Sequence, residues 1–469
     1  MKQILWKGIR LIAFVILMFV IVSGVYRVFS WKDTTGGYLS SLSQLYDTPK
    51  NQMDVVFVGS SHCYCSIYPA YMWRDAGISA FDMAVSGQDK ASAYHMLVEA
   101  LKTQKPKVVC VEMYGLLTDK LAVEGNLYRN MLSMKTSKNS IDLVKTDVEE
   151  EKQKDFMLKW PIIHTRYMEL DKYDFVQYPQ STYGRGALFQ WNAVEYEVGL
   201  SGADTDEVGE LSAENKKWLQ DLYELAQENS FELIFFVAPF QIDYNQQKII
   251  NAAASFASEK GIEFFDFNKL RNVVELDAKA DFYDPNHCNA LGAEKLTGFF
   301  TEYLTDVYQL PNHRGDESYE AWKLDYVWYL HSREAARLKN ISDAGEYMDT
   351  VCSLDGVVTV VSLEAGFENN GEFFFGLMER LGIPLEEYTT GGKWIYSEGQ
   401  AMKVLENDPD AEAYIMELNK EDTLRVQYVE DLYPGNVMIN WEEYSQKFYC
   451  LTVVTYDTFT GEVIESRGF

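Results

Sequence analysis

Apolar residues are spaced in three ways along this chain, and each spacing predicts a different kind of element. From Leu11 to Tyr26 the run "LIAFVILMFVIVSGVY" carries no charge. About 20 residues of helix cross the hydrocarbon of a bilayer, a length this run reaches once its flanks are counted. From residue 54 the apolar stretches become short and continuous: Asp54 to Val58, Ile78 to Val85, Val108 to Met113, Leu233 to Ala238 and Ile262 to Phe267. Such runs, separated by helical patterns, predict strands of a parallel sheet covered on both faces. The plainest helix is 212–228, with Ser212 as N-cap and one stripe of Trp218, Leu219, Leu222, Leu225 and Ala226. Another begins near Ala290 and carries Leu291, Leu296, Phe299 and Phe300. Strand and helix alternate as in an α/β domain with an open sheet, where ligands bind at the carboxyl ends of the strands.

The third spacing begins near residue 350. "VVTVVSL", "AYIMEL", "TLRVQYV", "NVMIN", "FYCLTVVTYD" and "GEVIES" predict strands, with one helix around 370–381. The predicted organisation is therefore a membrane anchor (1–33), a polar Gly/Ser-containing stalk (34–53), an α/β domain (54–310), a helical connector (311–345) and a mainly β domain (346–469). An insertion, 115–210, interrupts the α/β domain between its third and fourth strands. It holds the charged stretch "DVEEEKQKD" and the aromatic-rich "KWPIIHTRYMELDKYDF", and its size would let it cover a cleft at the sheet's edge.

Composition narrows what such a chain can do. At 469 residues it exceeds one ordinary core, and with 47% hydrophobic and 14% aromatic residues it has the material for buried interiors. A net charge of −29, with no basic stripe to offset it, excludes nucleic acid as a partner. Lys2, Lys7 and Arg10 precede the apolar run, with Trp6, Tyr26 and Trp31 at interfacial positions; they favour a cytoplasmic N-terminus, although Arg27 and Lys32 weaken the asymmetry. Val22-Ser23-Gly24 would also serve as the small-residue site of a cleaved signal peptide. The length of the run and the poverty of that site favour an uncleaved anchor, and either form sends the globular part out of the cytoplasm.

The chemistry is concentrated in two stretches. "VFVGSSHCYC" (56–65) follows the first strand, so its polar residues stand at the sheet's carboxyl edge. Gly59 would allow the tight strand-to-helix turn, and backbone N–H groups after Ser61 would face an anion. A serine attacks a carbonyl only when a base takes its proton and a carboxylate orients that base. "FYDPNHCNALGAEKL" follows the fifth strand and offers both, Asp284 and His287, three residues apart. Taken singly, Gly-Ser-Ser is more often a turn and a lone histidine more often a cap; the ordered combination favours a triad of Ser61, His287 and Asp284.

In these stretches the chain resembles the SGNH/GDSL hydrolase superfamily. "DVVFVGSSH" is similar to the family's first block, whose serine is the nucleophile, with Ser60 in place of the common aspartate. "FDMAVSGQ" resembles the second, which maps an oxyanion donor to Gly87, and "DPNH" resembles the closing Asp-x-x-His. The third block departs: its asparagine donor should follow strand three, where this chain reads Val111-Glu112-Met113-Tyr114-Gly115. That leaves the oxyanion hole either to two backbone donors, the Ser61 and Gly87 N–H groups, or to these completed by an unplaced side chain for which Tyr114 is a candidate. The resemblance spans residues 54–310. It implies a flavodoxin-like three-layer sandwich and an extracytoplasmic, membrane-anchored serine esterase or O-acyltransferase that needs no cofactor. The substrate would be an acylated glycan of the cell surface or an acyl donor, and a membrane-bound acyltransferase the expected partner. The closing stretch "FYCLTVVTYDTFTGEVIESRGF" resembles ILEI-type β domains, which implies a glycan-binding module; Trp394 and Tyr396 would be its stacking residues, or plain core.

Competing expectations remain open at this point. His62, Cys63, Cys65, His287 and Cys288 contain ligand types that zinc accepts, though the Cys-x-Cys spacing is too close for a usual knuckle. A disulfide from Cys288 to Cys63 or Cys65, or free thiols throughout, fits the six cysteines better. Cys110 and Cys450 lie in strand-like runs and read as small hydrophobes. His164 and Arg166 are substrate-binding candidates, against the alternative of a surface loop packing its aromatics on the sheet. A non-catalytic surface binder that keeps the fold is the rival to the enzyme, resting on the absent third-block asparagine.

Overall fold

The five apolar runs of the first half form one parallel sheet in the computed structural model, which describes residues 2–30, 40–118, 124–132, 134–170, 172–175, 183–194, 196–363, 371–384, 386, 391–428, 436–446 and 449–469. Strands β1 (Val55–Val58), β2 (Ala80–Asp82), β3 (Val108–Glu112), β4 (Glu232–Val237) and β5 (Glu263–Asp266) stand in the order β2-β1-β3-β4-β5. That is a doubly wound order, with its topological switch between β1 and β3. Strand β2 is shorter than its apolar run. Beyond Asp82, the Met83 and Val85 N–H groups still donate to the Phe57 and Gly59 carbonyls (2.7 and 3.1 Å), so the chain follows β1 to its end.

The strands read as continuous apolar runs because both faces are covered. On one face Val56, Val58, Val109, Val111, Phe235 and Val237 meet Met96 and Leu97 of helix Lys90–Leu101, and Trp218, Leu219 and Leu222 of helix Ala213–Asn229. On the other, Val55, Phe57, Cys110, Ile234 and Phe236 meet Met72 of helix Pro69–Ala76 and Leu296, Phe300 and Leu304 of helix Ala290–Tyr308. The period-two alternation along each strand divides the side chains between the two cores. The edge at β2 is closed by side elements: the Asp82 N–H donates to the Arg185 carbonyl (2.8 Å) and the Trp322 indole to that of Ala80 (3.0 Å).

One correction concerns the N-terminal region. Residues 34–53 are not all stalk: Ser40–Asp47 is a helix whose Leu42 and Leu45 are fully buried in the first core, an i, i+3 pair that a polar-looking stretch concealed. Residues 31–39, with Trp31, Lys32 and the first part of the expected stalk, lie outside the described residues. Lys2–Phe29 is one helix, long and apolar enough to cross a membrane, as a signal peptide also would be.

The chain divides into two units, Met1–Tyr326 and Val327–Phe469. Helix Glu320–Asn340 spans the boundary, so the division falls inside the expected connector. After the short hairpin β6 (Phe282–Asp284) and β7 (His287–Cys288) of the first unit, the strands of the second form two antiparallel sheets. One contains β8 (Val357–Leu363), β9 (Gly392–Ser397), β10 (Gln400–Leu405), β15 (Leu451–Asp457) and β16 (Glu462–Gly468). The other contains β11 (Tyr414–Glu417), β12 (Thr423–Gln427), β13 (Asn436–Ile439) and β14 (Glu442–Glu443). Val361 and Val453 face helices Ala344–Ser353 and Gly371–Arg380, while Val360 and Val454 face the second sheet. Trp394 and Tyr396 are buried against those helices, so neither offers a face to a sugar.

The aromatic layer under β1 and β4 concentrates packing energy in few residues. The Phe300 ring meets Phe57 and Phe236 edge-on at centroid distances of 5.5 and 5.2 Å, and all three are fully buried. Phe300→Ala should lower the unfolding free energy of the first unit by about 3–5 kcal/mol, read from denaturant unfolding.

Candidate active site

The geometry begins with the separate hairpin that follows β5 in the chain. In β6–β7 the register sets Asp284 directly opposite His287 across the two-residue turn Pro285–Asn286, and that is how an Asp-x-x-His spacing brings the two side chains together. Both Asp284 oxygens lie 2.9 Å from His287 Nδ1, and the Asn286 N–H donates to Oδ1 (2.8 Å). The next residues pin the hairpin from behind. Asn289 caps helix Ala290–Tyr308 by accepting from the Leu291 and Gly292 N–H groups (3.0 and 3.2 Å).

On the facing side, β1 ends at Gly59 and a short helix, Ser61–Tyr64, starts at the nucleophile candidate. His287 Nε2 stands 2.8 Å from Ser61 Oγ. The three predicted residues therefore form one line, carboxylate to imidazole to hydroxyl, with the imidazole held in the tautomer that leaves Nε2 to accept the serine proton. Gly59 is required for space more than for conformation: a Cβ there would stand 2.5 Å from Glu112 Cβ.

Glu112 closes β3 and is 1% exposed. Its Oε1 accepts from the Tyr114 N–H (2.7 Å) and its Oε2 from Ser60 Oγ (3.1 Å). Ser60 Oγ in turn accepts from the His62 N–H (3.3 Å). The two positions that depart from the family resemblance thus answer each other, since the carboxylate missing at residue 60 arrives from the end of the neighbouring strand. Asp82 is fully buried close by and accepts from the Ala84 N–H (2.7 Å) and the Cys63 thiol (3.3 Å). Burial lifts both the Glu112 and Asp82 carboxyls to about 7, against the pull of those hydrogen bonds.

His62, for which the sequence suggested no role, is buried and stacks on Tyr114 at 4.0 Å, with the His287 ring 5.1 Å away. It bonds to the backbone of Asn286, while its Nδ1 has no partner. Burial, and then the neighbouring His287, hold its pKa well below the ordinary range, so it stays neutral.

The candidate oxyanion side draws on separate segments. Neither the Ser61 nor the Gly87 N–H has an acceptor among the described residues. Gly87 has φ +61°, a left-handed conformation, and a Cβ there would stand 2.2 Å from Asn126 Nδ2. Asn126 belongs to helix Glu124–Met131 of the insertion; Arg129 Nη1 donates to its Oδ1 (3.2 Å), which turns the amide so that its N–H₂ faces Gly87. Sequence reading missed this residue because nothing in its surroundings marks it; only the fold brings it to the second block. The Tyr114 ring lies on His62, its backbone tied to Glu112.

The remaining candidates separate from the site. Arg166 is buried in an ion pair with Asp174 (3.1 Å) and donates to the Phe29 and Ser30 carbonyls, so its donors serve the fold and not a substrate. His164 is exposed, its Nδ1 3.1 Å from the Trp160 carbonyl. All six cysteines are free, with no disulfide between Cys288 and Cys63 or Cys65. Burial pushes the Cys288 thiol up to about 12 and those of Cys63 and Cys65 well above their usual value. Among the described residues no three His, Cys, Asp or Glu side chains gather as metal ligands would.

The raised carboxyl of Glu112 has a consequence for stability. Between its ordinary range and about 7 the folded chain holds a proton that the unfolded chain has lost. Its contribution is thus fully present at low pH and is lost as pH rises through 7. Glu112→Gln cannot ionise, and should gain on the parent by on the order of 2–3 kcal/mol between about pH 5 and pH 8 in denaturant unfolding. A stability difference independent of pH would contradict the assignment. Compared with known proteins, the chain matches no family model and no curated protein, so its function rests on this geometry.

Proposed function

We propose that the first unit is a serine acyl-transfer enzyme of the SGNH type, an esterase or O-acyltransferase acting through an acyl-Ser61 intermediate. The observation that carries this reading is the contact line Ser61 Oγ to His287 Nε2 (2.8 Å) and His287 Nδ1 to Asp284 (2.9 Å), at the carboxyl edge of a doubly wound sheet. Ser61 Oγ adds to the ester carbonyl as its proton passes to His287 Nε2. The oxyanion so formed is held by the N–H groups of Ser61 and Gly87 and by the Asn126 amide. Collapse breaks the bond to the alkoxy group, which leaves with the proton from His287. Water or a sugar hydroxyl then gives its proton to His287 as it adds to the acyl group, and collapse breaks the bond to Ser61 Oγ, which takes that proton back from His287. Asp284 holds the Nδ1 proton throughout and stabilises the imidazolium.

Hydrolysis and transfer use the same residues and differ only in the second acceptor. The N-terminal helix, with Lys2, Lys7 and Arg10 on one side of it, favours an anchored enzyme facing outward from the cell. Acyl groups, acetyl first among them, on surface polysaccharide are then the substrates within reach, with a membrane-bound acyltransferase as donor if the reaction is transfer. A net charge of −29 disfavours strongly anionic polymers at low salt.

A fluorophosphonate should label the parent chain at Ser61, and Ser61→Ala should abolish both labelling and turnover of an acetyl ester without altering the unfolding transition. A parent chain that is neither labelled nor active would favour the binder. Asn126→Ala should lower kcat by ~10²–10³, the cost of one oxyanion donor, with little change in KM.

A further inference from the structure

Residues 158–175 of the insertion leave a cluster of large apolar side chains in the open. Leu158, Trp160, Tyr167, Met168 and Phe175 are between 42% and 76% exposed. Single exposed apolar residues are ordinary, but a cluster marks an interaction surface. The elements His164–Met168 and Lys172–Phe175 pack against helix Lys2–Phe29. The Phe29 and Trp160 rings lie 5.5 Å apart, and the helix loses exposure from Tyr26 onward, where these elements meet it. The joint is built as well as packed: Arg166 donates to the last carbonyls of the helix, Phe29 (3.1 Å) and Ser30, while both Asp174 oxygens accept from its other nitrogen at 3.1 and 3.3 Å. Those carbonyls would otherwise lack donor partners at the helix end, and the buried guanidinium is paired.

We propose that this cluster is a second membrane contact, an interfacial patch lying in the headgroup layer of the leaflet from which the helix emerges. The proposal rests on the helix remaining attached and spanning the bilayer. Continuity identifies the occupant. The patch is locked to the end of the one apolar helix among the described residues that is long enough to cross a membrane, so its depth is set by that helix. Its chemistry fits the same place, since tryptophan and tyrosine put an apolar ring and a polar tip at a bilayer interface. A net charge of −29 gives no help from anionic lipid, so the contact is apolar and insensitive to salt.

The test uses the full chain in phosphatidylcholine vesicles, with Cys450→Ser and Cys352→Ala removing the accessible thiols. A spin label on Met168→Cys should collide more with oxygen, which concentrates in lipid, than with a water-soluble nickel complex, in low and in high salt. A label on Glu259→Cys, an exposed helical position, should show the opposite order. A Met168 label that behaves like the Glu259 label, on a chain that still floats with the vesicles, overturns the patch. So does a label shielded from both reagents, which would mean that protein covers the surface. A chain that fails to float removes the anchor and the patch with it, and leaves the fluorophosphonate result for Ser61 untouched. Independently, Trp160→Phe should reduce the share of tryptophan fluorescence quenched by bromine-labelled lipid; unchanged quenching contradicts the contact.

Discussion

A carboxyl group buried beneath Ser61 organises the candidate catalytic edge of this protein. Glu112 can occupy the end of β3 only because residue 59 lacks a side chain, and it remains there because the Tyr114 N–H and the Ser60 hydroxyl meet both of its oxygens. An unpartnered carboxyl in such a place would cost several kcal/mol, so these two bonds are conditions of the fold more than additions to it. Ser60 then holds the His62 N–H, and the His62 ring bonds to the backbone of Asn286 inside the hairpin that bears Asp284 and His287. Ser61 and His287, separated by more than 220 residues of chain, are both referenced to one buried group. A 2.8 Å contact between them survives thermal motion because each side is held from below by neighbours that are themselves packed.

What could be read from the sequence divides along a physical line. The strands were legible because a doubly covered parallel sheet demands unbroken apolar runs, and the Asp-x-x-His pair because a two-residue turn makes those positions face each other. The span of the N-terminal helix was legible from apolar length alone. Illegible features depend on partners that are distant in the chain. Tyr114 was the candidate for the missing family donor, and nothing local reveals that the neighbouring Glu112 side chain turns inward to Ser60. Asn126 is an unmarked residue of a polar helix until folding sets it beside Gly87. Arg166 attracted a ligand-binding reading because arginine among aromatics suits anions, yet its carboxylate partner lies eight residues on, at a spacing no helical or strand pattern flags. Leu42 and Leu45 give only one turn of apolar signal, too little to stand out from a polar stretch.

The same contrast explains the cysteines. Cys63 and Cys65 drew attention in a stretch that invited zinc or a disulfide, but burial decides their state. Cys63 spends its proton on Asp82, and a thiol held well above its usual pKa is neither a ready ligand nor a ready nucleophile. Their bulk fills the space beneath the Ser61–Tyr64 turn, in the same core as Phe57 and Cys288. Free thiols persist when oxidants cannot reach them, and these three are 3% exposed or less.

The insertion between β3 and β4 joins the two ends of this account. Its early helix brings the Asn126 amide to Gly87, and its later segment grips the end of the apolar helix through Arg166 and Trp160. A loop of that length is entropically tolerable because closure cost grows only with the logarithm of length, and its interior is tied down by buried residues such as Leu143, Val144 and Phe156. Arg166 and Trp160 thus tie the apolar helix to the α/β domain through more than chain continuity. That attachment comes from the same insertion that sets the Asn126 amide beside Gly87. Under the acyl-transfer reading, orientation toward the membrane and completion of the oxyanion hole are then properties of one element. Loosening its membrane-proximal half would be felt at Asn126 before it is felt at Ser61, because Ser61 is held by the sheet and Asn126 is not.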